Sequence, residues 1–300
     1  MKQNPFESIQ NLTVEKIIKN ENKVLIDGCM DVVENTGWYR EIYGVKKSVQ
    51  LDADYLRGVR KELVRFNDLF YEENVFTTQK VVKELKTIKE LVATKLSNIN
   101  QTDKRVPKKV RRNYTKESRN EHDKARHVLG DISYQYMQIH KNTRHSILHS
   151  NKQTIYAPLE NLILSIGKLT TAKRDYSHRY NIKPSSTADN HADEELVTTA
   201  LYQSLIEQES VSIITMDSDI SRLMVKTVEY LTQFNHPKKD EIKFRLLENP
   251  LKVYYRGKEG MQLTFDTSDF EQTGFFFMKQ DSKAVREQIN SYARNLKLNF

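Results

Sequence analysis

Apolar residues follow two alternating spacings along the chain, and each spacing predicts an element. Lys23-Val-Leu-Ile-Asp27 is a short apolar run closed by an acid and predicts a buried strand. From Asp52 to Tyr71, apolar side chains at Tyr55, Leu56, Val59, Leu63, Phe66, Leu69 and Phe70 recur with a helical period. Asn74-Val-Phe-Thr-Thr78 predicts a second short strand. It leads into a helix over 79–96, where Val81, Val82, Leu85, Ile88, Leu91, Val92 and Leu96 share a face and Thr78 is placed to cap the first turn. The polar stretch Ser97 to Lys104 and Pro107 interrupt the pattern. Helical spacing resumes over His122–Leu148 and Pro158–Tyr176, and Ile182–Asp189 reads as a linker by composition. Asp193–Gln208 is the clearest amphipathic helix, with Leu196, Val197, Ala200, Leu201 and Leu205 on one side. Val211-Ser-Ile-Ile-Thr215 predicts a third strand, followed by Asp217 and Asp219 and then a helix over Ile220–Phe234. Beyond Asn235 the pattern weakens. Val253–Tyr255, Met261–Phe265 and Gly274–Met278 are strand candidates, and Ser282–Leu296 is a closing helix. No internal repeat is present.

Strands alternating with helices predict an α/β fold with a parallel sheet. With 38% apolar residues in 300, the chain has material for a sizeable core, which excludes a disordered or collagen-like protein. The lone Cys29 offers no internal disulfide, the N-terminal residues lack the apolar stretch of a signal peptide, and no run is long enough for a membrane span. The expectation is a cytoplasmic protein. Charge adds one more feature. The net +8 is concentrated between Gln101 and Asn190, where 18 Lys and Arg face 8 Asp and Glu; the remainder carries 30 basic against 32 acidic residues. Thr102–Arg119 is densest, with Lys104, Arg105, Lys108, Lys109, Arg111, Arg112, Lys116 and Arg119 around Tyr114. Clustered cations of this kind suit a polyanion, whose phosphates they neutralise with release of counterions, and Tyr114 is available for base stacking. A merely solvated charge run is the competing reading.

Acids occupy privileged places. Asp27 closes the first strand, Glu84 lies within the helix after the second, and Asp193 with Glu194 and Glu195 opens the helix before the third. Asp217 and Asp219 follow the third strand directly. If those strands are neighbours, the carboxylates converge at one end of the sheet, where their mutual repulsion calls for cations. Oxygen donors without accompanying Cys or His favour Mg²⁺ or Mn²⁺ over zinc. Taken singly, each acid is equally a surface residue or a helix cap, Asp193 above all.

In order and local context, these pieces resemble the PIN-domain nucleases: Val24-Leu-Ile-Asp27, Val75-Phe-Thr-Thr-Gln-Lys-Val-Val-Lys-Glu84, Ala192-Asp193-Glu-Glu-Leu-Val-Thr-Thr-Ala200 and Ile213-Ile-Thr-Met-Asp217-Ser-Asp219. The resemblance implies a PIN-like three-layer core with a central, mostly parallel sheet, formed by 1–97 and 190–234. A basic, mostly helical insertion over 98–189 and a C-terminal α+β extension over 235–300 fall outside it. It further implies a catalytic quartet, Asp27, Glu84, Asp193 and Asp217, holding one or two Mg²⁺ or Mn²⁺ ions. Asp219 would be an accessory acid and further ligand, Thr215 an orienting residue, and Glu194 a ligand instead of or beside Asp193.

The implied activity is metal-dependent hydrolysis of phosphodiester bonds by an activated water. The favoured form is an endoribonuclease acting on single-stranded or structured RNA, with Tyr114 and the eight basic residues of Thr102–Arg119 binding the nucleic acid. A DNA or flap nuclease of the five-prime-nuclease type, and a catalytically silent PIN-like nucleic-acid-binding scaffold, remain alternatives. A homo-oligomer and an inhibitory protein partner are compatible with the resemblance; a membrane is not expected.

Other constellations carry less. His145 and His149 have the i, i+4 spacing of a zinc pair, but no acid completes the motif, and with His140 they read as surface or phosphate-contacting histidines. Cys29 reads as a small buried apolar residue, and Trp38 and Tyr39 as core or lid residues. The isolated glycines form no phosphate loop.

Overall fold

Short runs of β-branched and aliphatic residues build the centre of the molecule. In the computed structural model, which describes residues 12–28, 53–105, 116–148, 155–170, 172, 191–232, 236–257, 260–269 and 281–296, they form one five-stranded sheet. The strands are β1 (Lys23–Ile26), β2 (Val75–Phe76), β3 (Val211–Thr215), β4 (Leu251–Gly257) and β5 (Gly260–Asp266), in the order β2-β1-β3-β4-β5. The first four are parallel: Leu25 registers with Phe76 and Ile213, and Ile213 with Val253. β5 returns antiparallel on β4, so the fold is α/β with a mostly parallel, mixed sheet. Val24, Leu25 and Ile26 and all five residues of β3 are buried, as expected of parallel strands covered on both faces. Gly260 starts β5 at φ +108°, a backbone region that costs a glycine nothing and any other residue strain.

The chain divides into two compact units, 1–27 with 74–80 and 147–300, and 28–73 with 81–146. The first contains the sheet. Its helices are α1 (Val14–Asn20), α5 (Tyr156–Leu169), α6 (Ala192–Tyr202, continued by a π-turn over Gln203–Glu207), α7 (Ser218–Thr232), α8 (Lys239–Glu248) and α9 (Lys283–Asn295). α6 packs on β3 and α7 on β4 and β5, while α5 and α9 pack on α7 and on each other. The 235–300 region thus belongs to the body of this unit: β4 and β5 extend the sheet and α9 covers its helices.

The second unit contains α2 (Ala53–Leu69), most of α3 (Gln79–Arg105) and α4 (Lys116–Thr143). α2 packs along α4. Leu56, Val59, Leu63 and Phe66 of α2 are buried, as are Leu129, Ile132, Tyr136 and Ile139 of α4. Polar contacts fix their register: Asn142 donates to Asn67 Oδ1 at 2.9 Å and to the Tyr71 hydroxyl at 3.0 Å, and Arg60 pairs with Asp131 at 3.3 Å.

Several expectations need correction. Ser97–Lys104 does not break the helix after β2, because α3 runs on to Arg105. Losing apolar residues erases the periodic signal without unwinding a helix whose polar residues are themselves tolerable helix formers. α4 begins six residues before His122 and ends at Thr143, so His145 lies past the helix, and His149 is outside the described residues. α5 stops at Leu169, well short of Tyr176. α1 and α8 went unread because each buries only two side chains, Ile17 with Ile18 and Ile242 with Leu246. The proposed strand over Gly274–Met278, the linker over Ile182–Asp189, Cys29, Trp38 and Tyr39 lie outside the described residues. Among the described residues no helix is long and apolar enough to cross a membrane.

Candidate functional site

The strand order places a topological switch beside β1. The chain leaves β1 for β2 on one side and returns to β3 on the other, so the connections diverge beyond the carboxyl ends of β1 and β3. In open α/β sheets that divergence creates the crevice where ligands bind. Asp27 follows the last residue of β1, and its backbone N–H still donates to Ile214 of β3 at 3.1 Å. Its side chain is 3% exposed.

Thr215, the last residue of β3, organises this edge. Its buried hydroxyl donates to Asp27 Oδ2 at 2.6 Å and accepts from the backbone N–H of Asp217 at 2.8 Å. One hydroxyl supplies a single proton and two lone pairs, so one side chain ties the ends of both strands together. Asp217 in turn accepts from the Asp219 N–H at 2.8 Å, the geometry of a helix cap, and so starts α7. Asp219 is fully buried, and its Oδ1 lies 3.5 Å from the Arg222 guanidinium one turn on. Both acids sit at the N-terminus of α7, where the helix dipole favours negative charge.

The acidic triplet of α6 divides three ways. Glu194 is 2% exposed, with Oε1 3.7 Å from His191 Nδ1. Asp193 is half-buried. Glu195 has a task absent from the sequence-based expectations: its Oε2 accepts from the Lys80 backbone N–H at 2.6 Å, in the first turn of α3. Thr78, expected to cap that helix, instead has a buried hydroxyl without a hydrogen-bond partner among the described residues. A capping acceptor from a segment over a hundred residues away leaves no local sequence signature. Lys80 also pairs through Nζ with Glu160 of α5 at 2.5 Å.

Glu84 belongs to the second unit, on α3, and is half-buried. It stands close to Gly28 in that unit, where a Cβ would lie 3.5 Å from Glu84 Oε2 and 3.3 Å from Val81. Of the basic residues expected to bind nucleic acid, Lys104 and Arg105 close α3 and Lys116 and Arg119 open α4. Lys108, Lys109, Arg111, Arg112 and Tyr114 lie outside the described residues.

At the switch-point edge Thr215 thus joins the Asp27 carboxylate to the Asp217 backbone, Asp219 lies in the first turn of α7, and Glu194 is buried in the same unit. Their donor chemistry, carboxylate and hydroxyl oxygen, suits a hard divalent cation. Among the described residues no three His, Cys, Asp or Glu side chains stand grouped as a ready chelate. The carboxylates present are engaged by the protein itself, Asp27 by Thr215 and Asp219 by Arg222. No family model, no curated protein and no solved structure matches the chain.

Proposed function

We propose that this chain is a divalent-metal-dependent nuclease with a PIN-like core, hydrolysing phosphodiester bonds and favouring RNA. The observation that carries the reading is the arrangement at the switch point. Acids from two sequence motifs far apart in the chain meet on adjacent strand ends, with Asp27 and the Asp217 backbone joined through Thr215. Asp27 and Asp219 are buried beside the half-buried Asp217, and because burying a carboxylate costs free energy this supports a functional task for the edge. Asp27, Asp217 and Asp219 would hold Mg²⁺ or Mn²⁺, with Glu194, the more buried of the α6 acids, preferred over Asp193. The family resemblance adds Glu84.

A bound divalent ion would supply an activated water and neutralise charge on the phosphate. The chain's own contribution is orientation. Thr215 fixes the Asp27 carboxylate by its hydroxyl proton, and Asp217 is held at the head of α7.

The test is a labelled single-stranded RNA incubated with Mg²⁺ or Mn²⁺, with single-stranded and branched DNA beside it. Asp27→Asn and Asp217→Asn are expected to abolish cleavage, and EDTA to abolish it in the wild type. Cleavage that persists unchanged in both variants refutes the site. A catalytically silent nucleic-acid-binding scaffold is the second reading, favoured by the engagement of Asp27 and Asp219 with protein partners. Binding that survives EDTA without cleavage under any divalent ion would select it.

A further inference from the structure

A run of short contacts carries a cation to the switch-point edge. The Thr215 hydroxyl donates to Asp27 Oδ2 at 2.6 Å and accepts from the Asp217 N–H at 2.8 Å, and Asp217 Oδ1 accepts from the Asp219 N–H at 2.8 Å. Asp219 Oδ1 then meets the Arg222 guanidinium at 3.5 Å. All five residues belong to one compact unit. Asp219 is fully buried, whereas the Arg222 side chain is 34% exposed. One end of the run is therefore the carboxylate that closes β1, and the other is a guanidinium that solvent reaches.

Helical geometry explains the reach. α7 starts at Ser218, three residues after the end of β3, and helical side chains lean toward the N-terminus of their helix. Arg222, in the second turn, therefore projects back over the first turn, where Asp219 meets it. This is an unfavourable place for a cation. The N-terminus of a helix carries about half a positive charge, which favours Asp217 and Asp219 and opposes Arg222. Asp219 offsets part of that cost and engages one of the five N–H donors of the guanidinium. A phosphodiester approaching Asp27, Asp217 and Asp219 would be repelled by their charge, and a guanidinium held in the same set of contacts counters that repulsion. Resting on the nuclease reading above, we infer that Arg222 contacts a phosphate of the nucleic-acid substrate at the switch-point edge. An arginine can give one phosphate two parallel N–H bonds, which orient the group as well as neutralise it. The role is distinct from that of Thr102–Arg119, which belongs to the second unit, whereas Arg222 belongs to the unit of the acids.

The experiment uses the full chain in EDTA, so that no cleavage intervenes, and a labelled single-stranded RNA followed by fluorescence anisotropy between about 50 and 200 mM salt. Arg222→Gln should bind about tenfold more weakly, the loss expected for one hydrogen bond to a charged group. Its log–log salt slope should be shallower by about 0.7, the share of one phosphate contact to a single strand. Arg222→Lys should keep the wild-type slope, because the charge remains, and recover only part of the affinity, because an ammonium lacks the planar pair of donors. Circular dichroism checks that the helices persist in both variants. In the wild type itself, the Arg222 Nε–H NMR signal, identified by its absence from the Arg222→Lys spectrum, should move as RNA is added. Wild-type affinity and slope in Arg222→Gln, or an Arg222 signal indifferent to saturating RNA, would overturn the inference and leave Arg222 as the partner of Asp219 alone. Absence of RNA binding by the wild type at the lowest salt would overturn it too. The two readings fail separately. A shallower slope in Arg222→Gln without cleavage under Mg²⁺ or Mn²⁺ keeps the phosphate contact and removes the nuclease. Asp27-dependent cleavage with affinity, slope and kcat/KM unchanged in Arg222→Gln does the reverse.

Discussion

Replacing Thr215 by valine removes a hydroxyl and leaves nearly the same shape, so it isolates the hydrogen bonds at the junction of β1 and β3. The Thr215 side chain is fully buried, and its hydroxyl serves Asp27 Oδ2 at 2.6 Å and the Asp217 N–H at 2.8 Å. A hydrogen bond to a carboxylate contributes about 1.5–3 kcal/mol and a neutral one about 0.5–1.5. The added methyl returns roughly 0.8 kcal/mol through burial. The net expectation for Thr215→Val is a loss of about 2–3 kcal/mol. Thr215→Ser keeps the hydroxyl and sheds one methyl, and should lose only about 1 kcal/mol. Urea titrations followed by circular dichroism at constant slope give both values. A double-mutant cycle with Asp27→Asn should show coupling of about 1 kcal/mol or more between the two positions. A loss in the valine variant no larger than that in the serine variant, or additivity in the cycle, would show that the hydroxyl bonds contribute no more than the methyl and would refute the argument.

Further expectations concern the rest of the first unit. Lys226 of α7, nearly fully buried, lies 2.9 Å from Asp281 and 3.1 Å from Glu229, and the Tyr230 hydroxyl donates to the same Asp281. Asp281→Ala should therefore cost about 3 kcal/mol in urea unfolding, while the pair Lys226→Met with Asp281→Leu should recover most of it, since apolar replacements of a buried ion pair are often neutral. Glu195→Ala should cost about 1 kcal/mol and speed hydrogen exchange at the Lys80 amide, and Glu195→Gln, which keeps an acceptor, should do less. His236 is buried, and desolvation, aided by Lys238 and opposed by a backbone hydrogen bond to Ala293, holds its pKa below the usual histidine value. The unfolded chain then binds the proton more readily, so this contribution to stability is complete above about pH 6.5 and declines as pH falls through that value, levelling off below the folded-state pKa. Melting temperatures between pH 8 and 5 should show the decline in the wild type and less of it in His236→Gln.

Long apolar periods were legible because each buries a whole face. The helices beginning at Ala53, Gln79 and Ser218, and the strands at Lys23 and Val211, all announced themselves by spacing alone. Helix ends were not legible in the same way. α3 continues through Ser97–Lys104 because polar residues that are tolerable helix formers leave no apolar period to read, and α8 hides because two buried residues make no period. The sequence also marked which acids stand at strand ends, since a carboxylate after an apolar run is a local feature.

What it could not say is which strands are neighbours. That order, β2-β1-β3, is decided by the packing of segments nearly two hundred residues apart, and it alone brings Asp27 and Thr215 to 2.6 Å. Tertiary structure likewise separated three consecutive acids by burial. Glu194 turns inward, Asp193 is half-exposed, and Glu195 reaches a distant helix start, because successive residues on a helix point about 100° apart and only the surrounding elements determine what each direction meets.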